Sequence, residues 1–189
     1  PSTTLYIVME YCSGGDLREL IDKHKREGRW FEESILWKLM AQLCLGLCAC
    51  HNHTSPDGER QRILHRDIKP ANTLLDACGN AKLGDFGTST QLNASARHAE
   101  TLGIGTPVYM SPEVVNGGAY DERSDMWGLG CVLYEAAALK PPFLASNPAA
   151  LASLIDSGLF DAAPLETRYS SQWAAAVTWL LSRERGGRP

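Results

Sequence analysis

The chain has 189 residues, 44% hydrophobic and 21% charged, the balance of a folded globular protein of about one domain rather than a disordered or fibrous one. Eighteen Lys and Arg stand against 22 Asp and Glu, and the resulting net charge of −4 argues against a protein that coats nucleic acid. No uninterrupted apolar run reaches the roughly 18 residues of a membrane span; the longest candidate, Met126 to Leu139, is broken by Gly128, Gly130 and Glu135.

From the N-terminus, Leu5-Tyr6-Ile7-Val8-Met9 is a β-branched and aromatic run that predicts a buried strand, ended by the turn Ser13-Gly14-Gly15. Asp16, with Glu19 three residues on, has the pattern of a helix cap, and Leu17, Leu20 and Ile21 form the apolar side of the helix it opens. A longer helix is predicted from Glu32. There Ile35, Leu39, Leu43 and Leu47 recur every four residues beside Leu36, Met40, Cys44 and Cys48, a stripe wide enough for a central helix buried on most sides. Residues 53–62 are polar and read as a surface loop, in which Glu59, Arg60 and Arg62 are solvated. Short strands are predicted at 63–64, 73–75 and 81–83, the last two joined by a turn over 76–80. Gln91 to Glu100 is small, polar and aperiodic, the pattern of a loop. A second buried helix is predicted over 124–139, stopped by Pro141-Pro142, and a last amphipathic helix around Trp173, Val177, Leu180 and Leu181. The expected fold class is α+β, predominantly α.

Six cysteines, at 12, 44, 48, 50, 78 and 131, lack the spacing of a zinc site. Cys44 and Cys48 read as small buried hydrophobes. His51 and His53 read as solvated residues at a helix end, a poor metal geometry. The absence of secretory features sets the expectation of a reducing, cytoplasmic location, with neither a membrane nor nucleic acid as partner. The start at Pro1, without an initiator Met, suggests a piece of something longer.

The chemistry concentrates in the loops between 64 and 113. His65-Arg66-Asp67-Ile68-Lys69-Pro70-Ala71-Asn72 is followed, eighteen residues after Asp67, by Asp85-Phe86-Gly87, and later by Ser111-Pro112-Glu113. This is the order of the catalytic loop, metal-binding loop and activation-segment end of the eukaryotic protein kinases, and the chain resembles that family over essentially its whole length. The finer resemblance is to the NIMA-related kinases. It rests on Ile7 to Cys12 with Gly14-Gly15-Asp16-Leu17, on Leu83 to Gly87, on Gly105 to Glu113, and on Ser124-Asp125-Met126-Trp127.

The resemblance implies a serine/threonine protein kinase using ATP and Mg²⁺ on protein substrates, with an upstream activating kinase as a further partner. Phosphoryl transfer is mostly positioning and charge neutralisation. Asp67 matches the base that orients the attacking hydroxyl, Lys69 the cation near the transferring phosphate, and Asn72 and Asp85 the oxygen ligands of the metal. Met9 looks like the gatekeeper behind adenine, with backbone groups of Glu10 and Cys12 as hinge contacts. Gly15 and Asp16 would then lie at the ribose edge and Leu74 beneath the purine. Arg66 resembles the arginine that meets a phosphorylated activation loop, with Thr101 and Ser95 as candidate phosphosites and Thr106 as a contact of Asp67 and Lys69. The family's usual phosphosite falls here on Leu102, one residue from Thr101. Glu113 and Arg188 resemble a structural ion pair, and Asp125 the acid that braces the catalytic loop. A Gly-rich phosphate loop, a strand Lys and its helix Glu are not found in these 189 residues. The implied assignment is therefore a partial kinase domain over 1–189, hinge plus large lobe, and the competing class is a non-catalytic pseudokinase or interaction module.

Overall fold

The computed structural model describes residue 4, residues 6–93 and residues 107–189. Helices dominate: α1 Leu17–Arg26, α2 Glu33–His51, α3 Pro112–Val115, α4 Glu122–Ala138, α5 Pro148–Ser157, α6 Ala163–Glu166 and α7 Ser171–Leu180. Four short strands, β1 Gln61–Leu64, β2 Thr73–Leu75, β3 Ala81–Leu83 and β4 Thr90–Asn93, make two antiparallel pairs. In one, Leu64 of β1 faces Thr90 of β4; in the other, Thr73 of β2 faces Leu83 of β3.

The core is built around α4. Fourteen of its 17 residues are buried, against four of 19 in α2, so α4 is the central helix and the expectation that α2 is buried on most sides is overturned. In α2 the stripe Leu36, Leu39, Leu43 and Leu47 packs inward against α4, β1 and β3, while Ile35 and Leu45 lie 49% and 70% exposed. Sequence spacing placed Ile35 on the buried stripe; the helix turns it outward and brings Leu36 in. Cys48 is exposed and Cys44 half-buried; Cys131 is the cysteine that the core takes in. By length and composition α2 is the one helix among the described residues able to cross a membrane, with a mean hydropathy of 1.3. Its leucine stripe is nevertheless packed as a core helix packs.

The helix ends have local causes. Asp16 caps α1 by accepting the Glu19 N–H at 2.9 Å. At α4, the Asp121 carboxylate accepts the Arg123 N–H, and the Asp121 and Ser124 side chains reach each other's backbone as a capping box. The far end of α4 closes on Leu139 in the left-handed region, two residues before the proline pair. Beyond it Phe143 stacks on Trp127 at 5.3 Å and meets Phe160 edge-on. Helices α5 and α6, which no periodicity announced, complete the lobe beside α3 and α7. Gln91 to Asn93, expected as loop, extend β4 along β1, because β1 offers them its backbone edge; the rest of that expected loop lies outside the described residues.

Over its described residues, Tyr6 to Met9, the expected N-terminal strand is absent. Tyr6 to Cys12 belongs to neither sheet, and Tyr6, Ile7, Val8, Met9 and Tyr11 are 83%, 73%, 97%, 70% and 86% exposed. Among the described residues no strand lies beside them to take up their backbone groups, and without that pairing β propensity has no sheet to act in. The chain joins the body at Gly14, whose N–H donates to the Leu75 carbonyl at 2.8 Å, and at Gly15, whose carbonyl accepts from the Leu75 N–H.

Candidate active site

The site is a polar loop laid over an apolar helix. Residues 65–72 leave β1 and cross the N-terminal part of α4, where Gly128 allows the approach: a Cβ there would lie 3.0 Å from Ile68 Cβ. A side chain at 128 would lift the loop. Beneath it Asp125, fully buried, gathers four donors. Oδ2 accepts from the His65 N–H at 3.1 Å and pairs with His51 Nε2 at 2.8 Å. Oδ1 accepts from the Arg66 N–H at 3.0 Å and the Tyr120 hydroxyl at 2.5 Å. Burial, together with the Asp125 charge, pushes the Tyr120 phenol well above its ordinary range, keeping it a donor. His51 is therefore not solvated: its side chain is 12% exposed and bridges α2 to α4.

Held this way, Arg66 takes a left-handed backbone at φ 70°, and Asp85 does likewise at φ 59°. Non-glycine residues adopt that region at a cost of order 1–3 kcal/mol, which persists where surroundings over-determine it and which clusters at functional sites. The turn leaves the Asp67 side chain only 10% exposed, against the loop's own Lys69 and Asn72. Lys69 Nζ meets Asp67 Oδ2 at 2.5 Å, and Asn72 Nδ2 donates to the same oxygen at 3.0 Å and to the Asp67 carbonyl at 2.9 Å. One carboxylate is thus fixed by a cation and an amide, both from a loop whose Thr73 hydroxyl ties back to the Lys69 carbonyl.

Asp85 sits opposite, on the loop after β3. His65 Nε2 bonds the Gly84 carbonyl at 3.0 Å and its ring lies 4.9 Å from Phe86, which places the two loops together. Gly84 is packed against Leu74, whose Cδ1 would stand 2.7 Å from a Cβ at 84. The Asp85 side chain is exposed and accepts only the Gly87 N–H among the described residues. The Asn72 amide spends its N–H groups on Asp67 and leaves its oxygen without a donor there. A hard divalent cation takes oxygen ligands, and Mg²⁺ commonly takes one or two from protein and the rest from phosphate and water. Asn72 and Asp85 fit that donor set. No cluster of three His, Cys, Asp or Glu suited to a self-contained metal cage occurs among the described residues.

Of the other expected nucleotide contacts, Leu74 is half-buried in β2 and bridges to Asp16, whose carboxylate is occupied as the α1 cap. Gly15 turns there at φ 75°. Glu10 pairs with Lys82 of β3 at 3.0 Å, Cys12 is half-buried, and Met9 lies open to solvent. The Arg66 guanidinium donates to the Thr90 hydroxyl at 2.6 Å. Ser95, Thr101 and Thr106 lie outside the described residues.

Glu113 and Arg188 join α3 to the C-terminal segment by two bonds of 2.8 Å, with Ser124 donating to the same carboxylate. Burial works to raise the Glu113 carboxyl, but the bonds and charge of Arg188 outweigh it and hold it at about 2. Arg62, expected in a solvated loop, lies in β1 and bonds Glu122 at 2.6 Å.

Sequence reasoning missed a second network. Glu135, 3% exposed within α4, accepts from Arg18 Nη1 at 2.7 Å and from the Tyr109 hydroxyl at 2.8 Å. An acid within the apolar run Met126 to Leu139 was the available signal, since a buried charge needs partners; nothing local named them. Arg18 and Tyr109 also wall a recess of about 320 Å³ beside Lys69, completed by Pro70, Ala71 and Val108.

A model of the protein kinase domain matches residues 1–189, and the chain belongs to that family. Within it the similarity runs to NIMA-related kinases. The chain is 44% identical over 189 residues to the probable serine/threonine-protein kinase nek2 of Dictyostelium discoideum and 46% identical over 188 residues to the serine/threonine-protein kinase Nek2 of Homo sapiens. To the G2-specific protein kinase nimA of Emericella nidulans it is 38% identical over 207 aligned positions. All of the chain is covered in each alignment, but only 43%, 41% and 29% of these relatives, so it spans about two fifths of the length of the first two.

Proposed function

We propose that these residues form the catalytic face of a serine/threonine protein kinase, with Asp67 as the base. The observation that carries this reading is the convergence of Lys69 and Asn72 on one oxygen of Asp67, over a loop tied to α4 through Asp125. Asp67 orients the hydroxyl of a Ser or Thr side chain and accepts its proton as the oxygen attacks. Lys69 offsets negative charge building at the transferring phosphoryl group and keeps the carboxylate aligned. Asn72 and Asp85 would hold Mg²⁺ through their oxygens, where it would supply neutralisation of the phosphate charge of the nucleotide that donates the phosphoryl group.

An aliphatic hydroxyl suits this geometry because Lys69 reaches the Asp67 carboxylate directly, which leaves a short distance for the acceptor to bridge. Phosphoamino-acid analysis of protein substrates treated with the full-length gene product is expected to yield phosphoserine and phosphothreonine. Mainly phosphotyrosine would overturn the reading. Arg66 is the cation to meet a phosphate added by an upstream kinase on the 95–101 segment. Arg66→Ala is expected to lower activity in the phosphorylated form and leave the unphosphorylated form little changed; an equal loss in both would assign Arg66 an architectural role instead.

A further inference from the structure

The proposed chemistry leaves the buried acid of α4 unused. Glu135 is 3% exposed, and both of its oxygens are capped by side chains that wall the recess beside Lys69. Arg18 Nη1 donates to Oε1 at 2.7 Å. The Tyr109 hydroxyl donates to Oε2 at 2.8 Å and accepts from Arg18 Nη2 at 2.6 Å. Among the described residues Arg18 is the one cation within 4.0 Å of Glu135. The bond to Glu135, and then its charge, raise the Arg18 guanidinium above its ordinary range, so Arg18 is a fixed cation. Its side chain is 33% exposed, which places a charged head between a buried carboxylate and the open recess. Pro70, Ala71 and Val108 complete the walls without charge, and Lys69, the other cation there, is engaged by Asp67 at 2.5 Å. Asp22, half-exposed and 4.0 Å from Arg18 Nη1, does not line the recess.

We propose that Arg18 is a specificity-determining residue: by occupying Glu135 it closes that carboxylate to Arg and Lys side chains of the protein substrate, a role that rests on the kinase reading above. Lys69 touches Asp67 with its amino group and borders the recess with the same side chain, so a polypeptide that brings a hydroxyl to Asp67 passes the recess. At ~3.3 Å per extended residue, a neighbour of the acceptor meets the wall that Arg18 forms. A cationic neighbour meets the heads of Arg18 and Lys69 instead of the carboxylate behind, and like charges brought together cost affinity. An uncharged neighbour meets Pro70, Ala71 and Val108 without that cost. Selectivity of this kind works by exclusion, and it is reversible. Arg18→Ala leaves Glu135 with Tyr109 alone and open toward the recess, where a substrate Arg becomes its cation. Glu135→Gln keeps the shape and the hydrogen bonds but leaves the Arg18 charge without its buried partner, so the same substrate position turns to Asp or Glu.

The test uses the full-length gene product and serine peptides in which Ala, Arg or Glu stands at each position flanking the acceptor. The Arg/Ala and Glu/Ala preferences are read as ratios of kcat/KM. They are read again as ratios of Kd by fluorescence anisotropy, on labelled peptides with Ala in place of the acceptor. At one position Arg18→Ala is expected to raise the Arg/Ala preference at least about tenfold over the parent, as for a close ion pair across an interface. Glu135→Gln is expected to raise the Glu/Ala preference there several-fold. The double variant Arg18→Ala, Glu135→Gln removes both charges and is expected to lose both gains. Thermal melting checks each fold, and Glu135→Gln, which conserves shape, decides the matter if Arg18→Ala unfolds. Preferences that match the parent at every position in the variants that fold overturn the proposal. So does a gain that persists in the double variant. A parent that binds the peptides but transfers no phosphate refutes the kinase reading, and the Kd ratios then decide the role of Arg18 by themselves. Peptides neither bound nor phosphorylated overturn both.

Discussion

The loop of residues 65–72 and the N-terminal segment invert the usual rule of burial. Residues 65–72 are polar, yet His65, Arg66 and Asn72 are buried, because each finds partners on Asp125, Gly84, Thr90 or Asp67. Residues 6–11 are mostly apolar, yet five of them are at least 70% exposed, with no sheet beside them among the described residues. What decides burial is the availability of a partner surface: Asp125 supplies one from beneath for the loop, whereas the segment has, among the described residues, the exposed Glu10–Lys82 ion pair and no apolar face to lie on.

The contrast can be broken most directly at Asp125. Asp125→Ala removes the acceptor of four donors and strands the buried N–H groups of His65 and Arg66. A loss of roughly 3–5 kcal/mol in urea unfolding is expected, as for breaking a buried charged network; a loss below about 1 kcal/mol would mean that the loop is held some other way. Arg188→Ala leaves the half-buried Glu113 carboxylate without its cation, and about 3 kcal/mol is expected by the same measurement. This pair also has a pH signature. The folded carboxyl sits at about 2 against an ordinary 4.5, so its stabilisation is full above about 4.5 and is lost as pH falls toward 2. Glu113→Gln should flatten that part of the acid unfolding curve; an unchanged curve would contradict the assignment.

Smaller effects sharpen the comparison. Gly84→Ala drives a Cβ into Leu74 and is expected to destabilise by about 1–2 kcal/mol. Leu74→Ala should relieve part of that in the double variant, and strict additivity would count against the contact. Val8→Ser, at a position 97% exposed, is expected to change stability by less than about 0.5 kcal/mol. A larger loss would show that the segment is covered in solution.

Much of this lobe was legible in the sequence, and the illegible parts share a cause. Asp16, the strands of residues 73–83 and the helix around Trp127 announce themselves through local signals: a cap, a turn between short apolar runs, an apolar stretch stopped near prolines. His51 did not, because its partner lies 74 positions away and a histidine at a helix end looks solvated wherever the partner is out of view. Glu135 was visible as an anomaly in an apolar run, without its partners Arg18 and Tyr109. The strand expected at Leu5 to Met9 shows the converse: composition states what a segment can pair with, not whether a partner is there. At the site the residue types and spacing named Asp67, Lys69, Asn72 and Asp85. Only the fold could show Lys69 and Asn72 meeting on a single oxygen.

The role of Asp67 is the claim on which this account stands, and Asp67→Asn tests it most directly because the amide keeps the shape and removes the base. The measurement is the rate of phosphate transfer from Mg-ATP to a serine peptide by the full-length gene product and by this variant, with unfolding curves confirming equal stability. A loss of about 10²–10⁴ in kcat is expected, the usual contribution of a positioned base. A variant within a few-fold of the parent would contradict the assignment of Asp67 as the group that takes the substrate's proton.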